Sequence, residues 1–79
     1  MRVLFFAQLK DVTGCSEVSL EATTPLTADA LWAALVQRFP GLAVHRPYVR
    51  LARNREYTGV DTLYGTGDEI ALIPPVSGG

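Results

Sequence analysis

The sequence predicts an α+β domain in which a mixed sheet of four to five strands curls around one main helix. Two observations favour this class. The most apolar strand-like segments, residues 2–10 and 69–73, stand near opposite ends of the chain. A single amphipathic helical segment between them can supply the long crossover that two parallel neighbouring strands require. We therefore expect these two segments to be the central strands of the sheet.

The first part of the chain is expected to form an antiparallel strand pair. Residues 2–10 are rich in β-branched and aromatic side chains and contain neither Gly nor Pro. Turn-forming residues then surround Gly14. Residues 17–20, with the sequence EVSL, alternate polar and apolar side chains as a half-buried strand does.

The helix is predicted for the segment that follows, TADALWAALVQRF. Thr27 suits the N-cap position, and Asp29 places negative charge favourably in the first turn. Three apolar residues recur at every fourth position and form one buried stripe: Leu31, Leu35 and Phe39. Pro40 and Gly41 are expected to end the helix, because proline cannot continue it and glycine suits the exit.

Three more strands are predicted after the helix, which gives the element order β-β-α-β-β-β. Residues 48–53 and the short segment 57–58 flank a turn with the sequence NRE. Residues 69–73 follow a tight turn at Gly67-Asp68, and two prolines stop this strand because they cannot donate to a ladder.

Length and composition limit the function classes. The chain has 79 residues, enough for one domain, and a formal net charge of −1, which argues against an electrostatic nucleic-acid binder. Cys15 is the single cysteine, so neither an internal disulfide nor a multi-cysteine zinc site can form. The apolar run at the start is too short for a signal-peptide core or a membrane span. We expect a cytoplasmic protein with no membrane partner.

The first and last strands are apolar on both faces, whereas a sheet covered by one helix needs apolar side chains on one face only. Val3, Phe5 and Ala7 are expected to face the helix. Phe6 and, by the same alternation, Ile73 then face away from it. These two residues are either scattered exposed apolar side chains, as small domains commonly have, or part of a surface that contacts a partner.

The closing sequence, PPVSGG, is predicted to be a flexible tail of residues 74–79 behind a domain of residues 1–73. The prolines fix φ near about −65° and favour an extended path. The final glycines lack a Cβ atom, so the backbone can enter a narrow channel. Six residues reach roughly 20 Å at about 3.3 Å each. The alternative interpretation is an ordinary disordered terminus.

Three segments together resemble the sulfur carrier subunit family of molybdopterin synthase, whose members are ubiquitin-like and have the β-grasp fold. They are RVLFFAQLKDVTG, the Ala52 and Asn54 of LARNREY, and GDEIALIPPVSGG. The resemblance covers nearly the whole chain, and its closing segment is the most specific part. Thiamine-pathway sulfur carriers are similar but usually lack the double proline. Arg53 departs from the family pattern, which has an apolar residue there.

The resemblance implies that Gly79 is the reacting residue. A ubiquitin-activating-type enzyme uses ATP to adenylate its carboxylate, which is then converted to a thiocarboxylate. The tail enters the large catalytic subunit, where its sulfur is transferred to cyclic pyranopterin monophosphate to form the molybdopterin dithiolene. Two carriers flank a dimer of large subunits. The residues that deliver Gly79 are Pro74, Pro75, Val76, Ser77 and Gly78.

The resemblance also implies that Phe6, Tyr57 and Ile73 are the apolar residues that face the partner. The alternation of side chains had already indicated the first and third of these. The chain is expected to be no enzyme on its own, because the catalytic groups lie in its partners, and to bind no metal and no cofactor.

Three rival functions stay open at the level of sequence. Some β-grasp proteins are modifiers that form isopeptide bonds from the terminal glycine carboxylate to lysines of other proteins. Others carry sulfur for the thiamine, cysteine or tungsten-cofactor pathways. A plain interaction domain without carboxylate chemistry is the third.

Several further residues have a structural and a functional interpretation. Cys15 is either a bystander in a turn or a persulfide carrier, and His45 either belongs to a loop or is functional. Asp68 fits turn chemistry better than metal binding. Trp32 is either at the edge of the core or a binding anchor. Four arginines either belong to a solvated strand or meet acidic residues of a partner: Arg46, Arg50, Arg53 and Arg55.

Overall fold

The computed structural model describes residues 1–75. In this range the strands are β1 (Arg2–Phe5), β2 (Glu17–Ser19), β3 (Arg50–Arg53), β4 (Glu56–Tyr57) and β5 (Glu69–Ile73). The helices are α1 (Gln8–Thr13), α2 (Ala28–Arg38) and a 3-10 helix (Pro40–Tyr48). The strands form one mixed sheet in the order β2-β1-β5-β3-β4. The predicted α+β class with one main helix is confirmed.

The two strands that were expected at the centre of the sheet do pair there. β1 runs parallel to β5, with Val3 opposite Ile70 and Phe5 opposite Leu72. β2 pairs with β1 in the antiparallel sense, as predicted, and β3 pairs antiparallel with β5. The crossover between the parallel strands contains α2, which therefore packs against the sheet.

The face of the sheet that lies under α2 is the inner face, and it forms the core. Its strand residues Val3, Phe5, Ile70 and Leu72 are almost completely buried. The Phe5 ring meets the ring of Phe39 edge to face, with 5.7 Å between centroids and 79° between planes, a favourable aromatic geometry. The other wholly buried large side chains are Leu9, Leu31, Leu35, Leu42 and Tyr64.

Helix α2 begins as the sequence predicts. The Thr27 side-chain oxygen accepts a hydrogen bond from the Ala30 N–H at 3.1 Å and so satisfies one of the first-turn donors. The helix ends at Arg38, and Phe39 is its C-cap. Trp32 is buried in the core at 3% exposure, which supports its structural interpretation.

The first strand is shorter than predicted, and the expectation of a strand through residue 10 is wrong. The chain leaves the strand at Ala7, whose φ of 51° is in the left-handed region, and α1 begins at the next residue. Ala7 is exposed rather than turned toward the helix. Leu9 is fully buried from a helical position. The apolar spacing of Phe5, Leu9 and Val12 is the helical signal that strand propensity concealed.

Helix α1 is closed by local hydrogen bonds. The Thr13 hydroxyl donates to the Leu9 carbonyl oxygen at 3.0 Å. Gly14 adopts a left-handed φ of 76°, and its N–H donates to the Lys10 carbonyl oxygen at 2.7 Å. The predicted turn at Gly14 is thus the C-cap of a helix, where glycine is favoured because it has no Cβ atom.

The 3-10 helix after α2 was not predicted either. It buries Leu42, and β3 consequently begins at Arg50 rather than at residue 48. Gly41 does not serve as a left-handed helix exit. A Cβ atom at this position would lie 3.1 Å from the Val12 side chain, so glycine permits the close approach to α1.

The β3–β4 turn is tied to the beginning of β5. Asn54 and Arg55 form a two-residue turn and have left-handed φ values of 51° and 75°. The Asn54 amide donates to Asp68 at 3.1 Å and accepts from the Glu69 N–H at 3.0 Å. Asp68 also accepts from the Gly65 N–H at 2.7 Å, which confirms its role in the turn. These hydrogen bonds, the one from Gly65 foremost, hold the pKa of the Asp68 carboxyl below its ordinary value.

Candidate docking surface

The sheet face turned away from α2 is called the outer face. The register places small and apolar residues in one row across four strands of this face. Leu4 lies opposite Ala71, Ala71 opposite Ala52, and Ala52 opposite Tyr57. Tyr57 is 59% exposed, Leu4 and Ala71 are half-buried, and the small Ala52 is buried between its neighbours at 3% exposure. The predicted second apolar surface of the sheet is therefore present.

The end of the outer face where β5 finishes is called the tail end. Ile73 lies here, directly opposite Arg50 on β3. Phe6 is 43% exposed and follows the Phe5–Leu72 pair, so that it lies level with Ile73. The structure thus brings the three predicted partner-facing residues, Phe6, Tyr57 and Ile73, to one part of the sheet. Their contact with a partner stays a prediction.

A cation–π pair borders this apolar end. The guanidinium carbon of Arg50 lies 4.4 Å from the centroid of the Tyr57 ring. Both side chains are exposed, and Arg50 forms no ion pair with any residue in the range 1–75. Arg50 lies two residues before Ala52 in β3 and therefore shares its face of the sheet. The stacking itself depends on the β3–β4 register, which sequence alone did not give.

The opposite end of the outer face is charged, and its arginine is paired with carboxylates of the same chain. Arg2 donates to both carboxylate oxygens of Glu17, at 2.8 and 3.2 Å, and to Glu69 at 3.1 Å. The hydrogen bond from Arg2 lowers the pKa of Glu17, and the same bond raises the pKa of Arg2. This end has its charges paired within the chain, whereas the tail end leaves Arg50 without a carboxylate from residues 1–75.

The segment predicted to be the tail begins at the tail end. β5 stops at Ile73, and Pro74 and Pro75 follow without regular secondary structure. Pro74 is half-buried and Pro75 is exposed. The other predicted tail residues and the reacting residue lie outside the described range, and their roles stay predictions: Val76, Ser77, Gly78 and Gly79.

Two other arginines of the basic run, Arg46 and Arg53, have contacts within the chain. Arg46 pairs with Asp29, and its guanidinium carbon lies 5.7 Å from the Trp32 ring centroid. Arg53 donates to the Leu63 carbonyl oxygen at 2.6 Å, which explains how a charged residue is accommodated where the family pattern has an apolar one.

The other candidate residues have structural surroundings. Cys15 is half-buried and packs against the core, and His45 lies half-buried in the 3-10 helix rather than in a loop. Within residues 1–75, no group of three or more His, Cys, Asp or Glu side chains is arranged to hold a metal ion. The helices of the same range lack the length and apolar character needed to cross a bilayer.

The fold and the outer face together define a small ubiquitin-like protein with the β-grasp fold. The crystal structure of SAMP1 from Haloferax volcanii superimposes with a TM-score of 0.86 at 31% identity, over 100% of this chain and 98% of that one. The chain belongs to the ThiS family, which it matches over residues 3–79. The predicted β-grasp fold is confirmed.

Several relatives that match this chain over its whole length share one name. The molybdopterin synthase sulfur carrier subunit of Arabidopsis thaliana is 38% identical over 79 residues, which are 100% of this chain and 82% of that protein. The complex of subunits 1 and 2 of the molybdopterin-converting factor from Helicobacter pylori contains a similar chain. It has a TM-score of 0.69 at 28% identity, over 99% of this chain and 96% of that one. The resemblance found in the sequence is confirmed.

Proposed function

We propose that this chain is the sulfur carrier subunit of a molybdopterin synthase and that the carboxylate of Gly79 carries the sulfur. The observation that supports this most strongly is the placement of β5. This strand lies inside the sheet and ends at Ile73, beside Phe6 and Arg50, so the segment that follows starts at the uncovered apolar end. A partner that covers this end also receives the tail. The names of the similar proteins support the same function.

The chemistry needs activation because a carboxylate is a poor electrophile. A ubiquitin-activating-type enzyme transfers the AMP moiety of ATP to the Gly79 carboxylate and releases pyrophosphate. A sulfide sulfur then attacks the carbonyl carbon, and AMP leaves; where a persulfide attacks instead, a second thiol must reduce the resulting acyl disulfide to release the thiocarboxylate. The product is a thiocarboxylate, a nucleophilic sulfur at the end of a tether. This chain contributes the tail and the docking surface, and the catalytic groups belong to the partners.

The second half of the reaction takes place in the large catalytic subunit. The tail enters its active site, and the thiocarboxylate sulfur is transferred to cyclic pyranopterin monophosphate on the way to the dithiolene. Two carriers and two large subunits form the complete synthase. The Helicobacter pylori complex of subunits 1 and 2 supports a partner of this kind. A single cysteine without a disulfide partner fits work in the reducing cytoplasm.

The composition of the tail suits this task. Two prolines directly after the sheet restrict the chain to extended conformations, so less conformational entropy is lost when the tail enters a partner. Glycines at both final positions keep the reacting carbonyl free of neighbouring side chains.

Intact-mass analysis tests the proposal. The full chain is incubated with ATP, its activating enzyme and sulfide, and we expect a mass gain equal to the replacement of one oxygen by sulfur. Addition of the large subunit and cyclic pyranopterin monophosphate should then return the mass to its original value. A chain that forms no thiocarboxylate under these conditions contradicts the proposal.

A second candidate function is protein modification, and one observation favours it. The SAMP1 structure has a TM-score of 0.86, and a further similar structure from Haloferax volcanii, at 28% identity, is that of small archaeal modifier protein 1. Both functions begin with the same adenylate. Covalent conjugates between Gly79 and lysines of other proteins, isolated from cells, would support modification. Their absence from cells that make molybdopterin would leave sulfur transfer as the function of the tail.

A further inference from the structure

We propose that the partner surface that covers the tail end carries a carboxylate that pairs with Arg50, and that this pair makes docking specific. The inference rests on the proposed function, because it concerns the large subunit that receives the tail. It adds the chemistry of the partner surface and a residue that the resemblance to sulfur carriers did not indicate.

Arg50 lies where a partner that binds the tail end must cover it. Arg50 lies directly opposite Ile73 in the β3–β5 ladder, and its guanidinium carbon is 4.4 Å from the Tyr57 ring centroid. A partner that covers both Ile73 and Tyr57 must therefore also cover Arg50. This arginine becomes part of the interface and is at least partly removed from water.

The positive charge of Arg50 needs a compensating anion when a partner covers it. Removing a guanidinium from water is costly unless a hydrogen-bonded anion compensates it. Arg2 and Arg46 have such anions within the chain, in Glu17, Glu69 and Asp29. Arg50 forms no ion pair in the range 1–75. The compensating carboxylate must therefore come from the covering surface.

The guanidinium of Arg50 is held in place before a partner binds. Contact with the Tyr57 ring holds the planar guanidinium against the sheet and restricts its rotamers before a partner arrives. A fixed guanidinium loses less entropy on binding and can present two parallel N–H donors to one carboxylate. An Asp or Glu of the large subunit is thus the group that this site fits.

Calorimetric titration of the large subunit with the full chain tests the pairing. The variants are Arg50→Gln, Arg50→Glu and, as a matched control, Arg55→Gln, an exposed arginine in the β3–β4 turn. We expect Arg50→Gln to raise the Kd by about tenfold or more, as the loss of one member of a desolvated charge pair does. Arg50→Glu should raise it further, because two carboxylates then face each other. Arg55→Gln should leave it unchanged.

The dependence of the Kd on sodium chloride concentration tests the same charge pair independently. Added salt should weaken binding of the original chain more than binding of Arg50→Gln, because screening acts on the pair that the variant lacks. Thermal unfolding should be the same for all variants, since both arginines are exposed.

Two results would overturn the inference while leaving the proposed function intact. In the first, the original chain binds and Arg50→Gln binds equally well. In the second, Arg50→Glu binds no more weakly than Arg50→Gln. The partner would then present no carboxylate to repel Glu at position 50, and the loss of affinity would come from side-chain packing alone. An original chain that fails to bind the large subunit at all would overturn both.

Discussion

The inner and outer faces of this sheet are formed by alternating residues of the same strands, yet they differ in what covers them. Val3, Phe5 and Leu72 of the inner face lie beneath helices and are almost inaccessible to solvent. The outer face has no helix over it among residues 1–75, and Tyr57 and Phe6 remain about half exposed. We infer that the inner face determines stability and that the outer face is reserved for recognition.

The outer face is itself divided. At the end where β5 starts, Arg2 is compensated by Glu17 and Glu69. At the end where β5 finishes, Arg50 stacks on an aromatic ring and has no carboxylate from residues 1–75. A partner gains apolar area and one charge pair at the second end, whereas it would have to break existing pairs at the first.

Removal of Gly79 should have the largest effect and should alter neither face. We expect sulfur transfer to be abolished, because the reacting carboxylate would move to a different position along the tail. The unfolding temperature and the Kd for the large subunit should stay near their original values. Reconstituted molybdopterin synthesis measures the first expectation, and full synthesis by the truncated chain would contradict the role of the tail.

Truncation of the inner face should change stability alone. Leu35→Ala removes a completely buried side chain, and we expect the free energy of unfolding to fall by about 2–5 kcal/mol in urea titrations. Gln37→Ala, on the exposed side of α2, should stay within about 0.5 kcal/mol. A negligible effect of Leu35→Ala would show that the core is assigned to the wrong face.

Substitution on the outer face should change binding alone. Phe6→Asp is expected to weaken binding of the large subunit by about 2 kcal/mol, or roughly 30-fold, as loss of an apolar anchor does. Val44→Asp is the matched control, because Val44 is 72% exposed and lies in the 3-10 helix rather than on the sheet. Equal Kd values for the two variants would remove the distinction between the faces.

Acid should weaken the tie between the β3–β4 turn and β5. Because the folded-state pKa of Asp68 is lowered, its stabilising effect is complete above the ordinary value of 3.8 and is lost as the pH falls through the lower folded-state value. Asp68→Asn should therefore flatten the decline of unfolding free energy in this acid range. Binding at neutral pH should not change. An identical acid profile in the variant would contradict this assignment.

The smallest effect is expected from Arg55→Gly. Arg55 has a φ of 75°, a conformation that glycine adopts without steric cost. We expect a gain in unfolding free energy of up to about 1 kcal/mol with no change in Kd. A loss of stability would show that an arginine contact in the turn outweighs the backbone strain.

The sequence predicted those features that depend on composition within one element. The alternation of apolar residues indicated both faces of β1 and β5, and Thr27 indicated the start of α2. The parallel pairing of β1 with β5 was also predicted, but several other features that depend on contacts between elements were missed. Ala7, with a φ of 51°, allows α1 to bury Leu9, but strand propensity concealed the helical spacing of Leu9 and Val12. No local pattern indicated that Gly41 lets the 3-10 helix approach Val12.

The candidate site was predictable to a similar extent. Phe6 and Ile73 follow from alternation, and Tyr57 was implied only by the resemblance to known sulfur carriers. The stacking of Arg50 on Tyr57 could not be predicted, because it requires the register of the β3–β4 hairpin and of the β3–β5 ladder together.

The parallel pairing of β1 with β5 has a consequence during synthesis on the ribosome. Residues 2–5 are made early but receive their central neighbour only when residues 69–73 have emerged. Until then the tail end of the outer face is not assembled, and a partner has no docking surface to recognise. Under the proposed function, correct folding is thus a condition for loading and delivering the sulfur.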